Sequence, residues 1–285
     1  MGNFVGNIMK QAILITAYKD QSQLEKLINF FSPHFLIFIH IDKKSQLTIP
    51  KKKNVYVIKK YKINWGGLDH LLAILELSRM ALNHDDVGYI HIISGQDFPI
   101  KPISNFDFFN NNPKIYMQFE NVTPKRDYFK NRYRKGVLFS NLDSRKKLNH
   151  LINIFYGLSH KKRTYIDVFP EDKIDIGLVW CSMPRVAADY VLKYVLTHDF
   201  PNNWKHVNIP EEFFFQTILG NSPFRENIIN NNLRYMDWSQ RNGSMPAYLD
   251  DTDYVKIKNS NCFFARKLDT NISKKLIELL EKNII

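Results

Sequence analysis

Cysteine is almost absent from this 285-residue chain: Cys181 and Cys262 are the two present, and neither stands in a Cys-x-x-Cys or Cys/His ligand pattern. That argues against a disulfide framework and against a thiolate zinc site, and two buried thiols in a reducing compartment are expected. Long apolar runs are missing too. No window holds the roughly 18 to 20 uninterrupted apolar residues of a membrane span. The stretch from Met1 to Lys10 lacks the apolar core of a signal peptide. The expectation is a cytoplasmic protein, at most peripheral on the inner face of the plasma membrane. There is no internal repeat and no linker rich in Pro, Gly or Ser. Residues 1–9 read as a leader or flexible N-terminus, because Met9 directly precedes the first strand-like run. Residues 10–285 read as one domain with a basic insertion at about 125–164.

Acids are also in deficit. Lys and Arg number 40 against 28 Asp and Glu, giving a formal charge of +12. Such a balance favours phosphate-bearing partners or anionic membrane surfaces. Between Lys125 and Thr164 twelve bases face only Asp127 and Asp143, so this segment carries nearly the whole excess.

What is there is an alternation of strand-like and helix-like runs, the signature of a parallel α/β sheet. Gln11 to Thr16, Phe35 to Ile41, Val55 to Ile58 and Tyr89 to Ile93 read as strands. Gln23 to Phe31 and Leu68 to Leu82 have helical spacing, and Lys114 to Gln118 reads as an edge strand. Further on, Ile174 to Cys181 reads as strand, Ser182 with Pro184 opens a helix to about Leu196, and Glu211 to Leu219 is helical. Leu233 to Trp238 and Cys262 to Ala265 read as late strands, and Ile272 to Lys282 as a closing helix.

Ligands of open α/β sheets bind outside the carboxyl ends of the strands. The run Tyr89 to Ile100 is informative in that light, since a buried strand passes into the polar loop Ser94-Gly95-Gln96-Asp97. A metal site holding a diphosphate would need two nearby carboxylates, and this loop has Asp97 alone. At the end of the second strand His40-Ile41-Asp42-Lys43-Lys44 offers an acid to a ribose or base edge, or equally a cap or an ion pair with Lys43 or Lys44. Asn64-Trp65-Gly66-Gly67 precedes the best helix; paired glycines allow a tight turn and tryptophan a flat face, for a ligand or for the core. Pro210-Glu211-Glu212-Phe213-Phe214-Phe215 places two acids at a helix start before three aromatics, suiting a general base or simple helix-dipole stabilisation. Arg266-Lys267 follows an aromatic strand, and Arg234 lies in Asn231-Asn232-Leu233-Arg234; cations so placed would stabilise a departing diphosphate, or be a solvated pair. The acidic groups His84-Asp85-Asp86 and Asp251-Thr252-Asp253 read as exposed turns, and no metal is expected.

Taken in order, these motifs resemble the core-2/I-branching N-acetylglucosaminyltransferases and their relatives, the peptide O-xylosyltransferases. The likeness runs from about Lys10 to Asp269 through His40 to Ser45, Trp65-Gly66-Gly67, Ser94 to Ile100, Pro210 to Phe215, Asn231 to Trp238 and Phe264 to Lys267. It implies a GT-A-like fold, a Rossmann-type mostly parallel sheet flanked by helices, and an inverting transfer from a UDP-sugar without metal. By the same resemblance Glu212, third counted from the proline, is the catalytic base, Asp42 contacts uridine, and Trp65 with Gly66 walls the donor pocket. Arg266 and Lys267 bind the diphosphate, Arg234 is a weaker carry-over from the core-2 branch, and Asp97 orients the loop or the donor. Trp180, Arg132 and Tyr133 are expected on the acceptor side. Where xylosyltransferases carry an acid before the tryptophan of their Gly-x-x-Trp strand, this chain has Val179, which speaks against a proteoglycan-type peptide acceptor. The membrane anchor and disulfides of the animal members are absent, which suggests a bacterial enzyme of surface polysaccharide synthesis.

One carboxylate suffices for an inverting transfer, whereas a glycosidase needs a second about 5 to 9 Å away. The donor sugar is expected to be N-acetylglucosamine first and xylose second, and the acceptor a glycan or lipid-linked glycan. Leu148, Leu151, Ile152 and Phe155 at helical spacing, flanked by Arg145-Lys146-Lys147 and Lys161-Lys162-Arg163, suit a membrane-surface helix or a face packed on the core. A basic nucleic-acid-binding module, with Tyr128, Phe129, Tyr133 and Phe139 among its bases, is the alternative from another class. A catalytically idle sugar-binding relative is a third.

Overall fold

Strand and helix alternate along the first hundred residues because apolar side chains alternate to both sides of each strand and then recur at helical spacing. The computed structural model describes residues 9–122, 143, 146–159, 173–198, 200 and 204–284. Among them the strands are β1 (Lys10–Ala17), β2 (Leu36–Ile41), β3 (Val55–Ile58), β4 (Val87–Ser94), β5 (Asp97–Pro99) and β6 (Ile115–Met117). These are followed by β7 (Glu120–Asn121), β8 (Asp175–Ile176), β9 (Ser182–Pro184), β10 (Ile228–Asn230), β11 (Arg234–Met236) and β12 (Phe264–Arg266). The helices are α1 (Gln21–Phe31), α2 (Leu68–Leu82), α3 (Asp107–Asn111), α4 (Lys147–Ser159), α5 (Arg185–Thr197), α6 (Glu211–Gly220), α7 (Tyr254–Lys258) and α8 (Lys274–Ile284).

Seven strands form the central sheet in the order β10-β6-β9-β4-β1-β2-β3. From β4 to β3 all neighbours are parallel, while β9 runs antiparallel to both β4 and β6. Both faces are covered, which is why β1 and β2 read as continuous apolar runs. Ala12 and Leu14 of β1 pack with Leu71, Ile74 and Leu75 of α2. Their neighbours Ile13 and Ile15 point the other way, into the core built by Leu24, Leu27 and Phe31 of α1. A second sheet, β11-β12-β5, lies beside the first, and β7 pairs with β8.

Three expectations change. Ser182 and Pro184 do not open the helix but form β9, and α5 starts at Arg185. Lys114 to Gln118 contributes β6, but β10 pairs on its outer side, so it is an interior strand. The run Ile174 to Cys181 is not one strand: it stops at Ile176, and the sheet strand is Ser182–Pro184. Gly177 breaks it, for a Cβ there would lie 1.9 Å from the Gln118 carbonyl oxygen, and its N–H donates instead to the Glu212 carbonyl at 2.9 Å.

Buried polar groups on the sheet are bonded in series. Arg234 Nη1 donates to Ser182 Oγ at 2.9 Å, and that hydroxyl meets His91 Nδ1 at 2.9 Å. His91 Nε2 donates to Gln11 Oε1 at 2.9 Å, and Gln11 Nε2 to the Phe106 carbonyl at 2.8 Å. The chain of donors holds His91 neutral, and burial pushes its pKa well down. Burial likewise lowers His40 from 6.5 to about 4, its Nε2 accepting from the Tyr61 N–H at 2.9 Å.

Between these values the unfolded chain takes up protons that the folded chain refuses, so stability is full above pH 6.5 and is lost as pH falls towards 4. Lowering the pH from about 7.5 to about 5 should therefore cost about 2 kcal/mol of unfolding free energy for His40 alone. Urea titrations at several pH values check this, with a shallower pH slope expected for His40→Gln. A stability that does not change over that range would contradict it.

Candidate active site

The strands β1, β2 and β4 end side by side, and the cleft of about 1330 Å³ opens over their carboxyl ends. That is where the order of the sheet reverses, β2 leaving β1 on one side and β4 on the other. The volume exceeds that of an ordinary small-ligand site.

From β2, Asp42 lines the cleft with its side chain 7% exposed. One of its oxygens accepts from the Lys44 N–H at 2.8 Å and the other stands 3.6 Å from Lys44 Nζ, so the carboxylate caps the turn and pairs with Lys44 while it lines the cleft. Asn64, Trp65 and Gly66 also line the cleft, Asn64 accepting from Lys44 Nζ at 2.9 Å and Gly66 with a φ of 76° that favours glycine. The Gly66 carbonyl accepts the N–H of Ile209 at 2.9 Å. Ile209 itself has a φ of 55°, a costly conformation for a β-branched residue, and it turns the chain directly into Pro210 and α6.

Glu211 and Glu212 both line the cleft at the start of α6, in different settings. Glu211 is buried, its Oε1 3.1 Å from His70 Nδ1, while His70 Nε2 lies 3.3 Å from Thr16 Oγ1. Glu212 is half-buried, and its backbone is fixed by the Gly177 N–H.

On the other wall the cations converge. Arg266 is buried, and its Nη1 meets Asp97 Oδ2 at 2.9 Å. The same carboxylate oxygen accepts the Ser94 N–H at 2.7 Å and the Ser94 hydroxyl at 2.6 Å. The Arg266 guanidinium stands 4.1 Å from the centre of the Trp180 ring, a cation–π contact. Burial lowers the Arg266 pKa, with Asp97 opposing the shift. Lys267 follows into the cleft, its pKa pulled below the usual lysine value by burial and then by Arg266 and Lys19. Lys19 reaches Tyr248 Oη at 3.0 Å and Asp269 Oδ2 at 3.2 Å.

Of the residues singled out from sequence, Asp42, Trp65, Gly66, Trp180, Glu212, Arg266 and Lys267 thus share one cleft. Asp97 does not line it; fully buried, it holds Arg266 from behind. Arg234 is a correction. It lies outside the cleft, donating to the carbonyls of Ile92 at 3.1 Å and Cys181 at 2.8 Å, to Ser182 Oγ, and to the Asn232 carbonyl. Its guanidinium packs 4.8 Å from the Phe264 ring centre, and those carbonyls take the donors a phosphate would need. Arg132 and Tyr133 fall outside the described residues. Among the described residues no group of three or more His, Cys, Asp or Glu side chains could hold a metal. The acids Asp250 and Asp253 are instead bonded to Arg241, each at 2.5 Å.

Sequence reading missed Tyr18, Lys19, His70 and the loop from Gln240 to Pro246 that follows Trp238, all on the cleft. Tyr18 and Lys19 had a signal, since they follow the end of a buried strand as Asp42 does. The Trp238 loop had none.

Removing Asp97 leaves the Arg266 charge buried without its counter-ion. Asp97→Ala should lower the unfolding free energy by about 3–5 kcal/mol, and adding Arg266→Met should restore part of it. Equilibrium denaturation measures both, and an Asp97→Ala loss below about 1 kcal/mol would contradict the pairing.

Comparison with known proteins gives the family of the chain. The model of the core-2/I-branching enzyme family matches residues 12–259, a span that contains Asp42, Trp65, Trp180 and Glu212 and ends before Arg266. Xylosyltransferase sqv-6 of Caenorhabditis elegans is 22% identical over 302 residues, covering 94% of this chain and 35% of that protein. Xylosyltransferase 1 of Mus musculus is 24% identical over 296 residues, 93% of this chain and 29% of that protein. The chain therefore spans about a third of the length of these relatives. With a GT-A-like α/β sheet and a family match across most of its length, the chain belongs to the core-2/I-branching enzyme family of glycosyltransferases.

Proposed function

We propose that this chain moves a sugar from a UDP donor to a hydroxyl of a glycan acceptor, with inversion and without a metal ion. N-acetylglucosamine is the first candidate sugar and xylose the second. The observation that carries the reading is that the half-buried carboxylate of Glu212 and the cations Arg266 and Lys267 line one cleft at the carboxyl ends of β1, β2 and β4.

In the proposed reaction Glu212 takes the proton of the acceptor hydroxyl as that oxygen forms a bond to the anomeric carbon. The bond from that carbon to the phosphate oxygen breaks on the opposite face, and UDP leaves. Its new charge develops against Arg266 and Lys267, held in a buried setting where such contacts are stronger than in water. Asp42 is the group for the uridine, and Trp65 and Trp180 offer flat faces to rings bound between them. The cations of this cleft come from outside the basic segment, which favours the transferase over the nucleic-acid reading.

The test is turnover of UDP-N-acetylglucosamine and UDP-xylose in EDTA. Wild-type turnover should persist, and Glu212→Gln should lower it about 100- to 1000-fold with donor binding retained. Loss of activity in EDTA would refute the metal-independent scheme. A Glu212→Gln enzyme that works normally while Glu211→Gln does not would move the base to its neighbour and refute the assignment.

A further inference from the structure

The helix α4 is built inside out. Its apolar residues Leu148, Leu151, Ile154, Phe155 and Leu158 are 69%, 51%, 45%, 68% and 79% exposed. At 100° per residue they occupy one side of the helix, with Ile152 at its margin. The face turned inward carries Asn149, Asn153 and Tyr156, all half-buried. Asn149 Nδ2 donates to the Asp143 carbonyl at 2.9 Å, and the Tyr156 ring stacks on His206 at 6.0 Å between centroids. A helix in water does the opposite, so the outward stripe asks for an apolar cover.

The surrounding charge identifies that cover. From Arg145 to Thr164 the sequence has six cations, Arg145, Lys146, Lys147, Lys161, Lys162 and Arg163, and no acid. Lys146 and Lys147 stand exposed at the start of the helix. An apolar stripe with cations at its end matches a surface with acyl chains below and negative headgroups above. We infer that α4 lies in the headgroup region of an anionic membrane, apolar stripe down, and docks the protein there.

Its location ties docking to the cleft. Asp143, whose carbonyl accepts from Asn149, lines the cleft, and His206 lies two residues before Asn208, which also lines it. With α4 on the bilayer, the mouth of the cleft opens beside the headgroups, where a membrane-borne acceptor hydroxyl would be presented. The docking itself does not rest on the transferase reading.

The protein is sedimented with vesicles of phosphatidylcholine containing about one-third phosphatidylglycerol, and with pure phosphatidylcholine, at low salt. Binding to the anionic vesicles is expected, about tenfold weaker to the neutral ones, and about tenfold weaker again for Leu151→Asn/Phe155→Asn. Phe155→Trp gives a second reading: its emission should shift to the blue on adding anionic vesicles, which needs no disruptive variant. Turnover of the UDP-sugar without vesicles should be unchanged in both variants, so docking and chemistry fail independently. Absence of wild-type binding, or binding unaffected by the double substitution, would overturn the proposal. So would wild-type dimers that the double substitution converts to monomers, since a second copy would then be the cover.

Discussion

The ion pair between Asp97 and Arg266 joins the second sheet to the end of β4 and to Trp180 at the wall of the cleft. The two residues are register partners across the antiparallel pair β5 and β12. Through Ser94 the same carboxylate grips the end of β4 in the main sheet, and through Arg266 it holds a guanidinium against Trp180. A buried pair of this kind contributes little net stability, because desolvation offsets the attraction. Its consequence is positional: a cation with no freedom to follow water is fixed at the wall of a cleft, and Lys267 comes with it. Asp97 first looks like half of a metal site, yet its charge is spent on Arg266.

The opposite wall is placed by backbone rather than by charge. Gly66 and Ile209 both adopt left-handed conformations and are joined by a hydrogen bond, and Gly177 approaches so closely that no side chain fits. These contacts set the start of α6, hence the direction of Glu211 and Glu212. The strain at Ile209 is stored next to the residue proposed as base, where a fixed direction matters more than local comfort.

Much of this was legible in the sequence. Val55–Ile58 and Leu68–Leu82 have the bounds their patterns suggest, because continuous apolar runs and helical spacing are local signals. The acid after β2 also pointed to the cleft by the strand-end rule, and the turn at Trp65-Gly66 before α2 was a candidate from its residue types. What depended on distant contacts was not legible. The break at Gly177 follows from the nearness of Gln118, the burial of Arg234 from carbonyls on β4 and beside β9, and the Trp238 loop joins the cleft through folding of the second sheet. The outward turn of α4 was likewise undecided, since its spacing shows an apolar face but not which way it points.

The central claim is that two cations, fixed by Asp97 and by burial, receive the donor's diphosphate unaided. Calorimetric titration of UDP and UMP into the protein in EDTA tests it most directly, because the two ligands differ by the one phosphate those cations should meet. UDP should bind about tenfold or more tightly than UMP, a difference of about 1.4 kcal/mol or more. Equal affinities, or UDP binding that disappears in EDTA, would contradict the account.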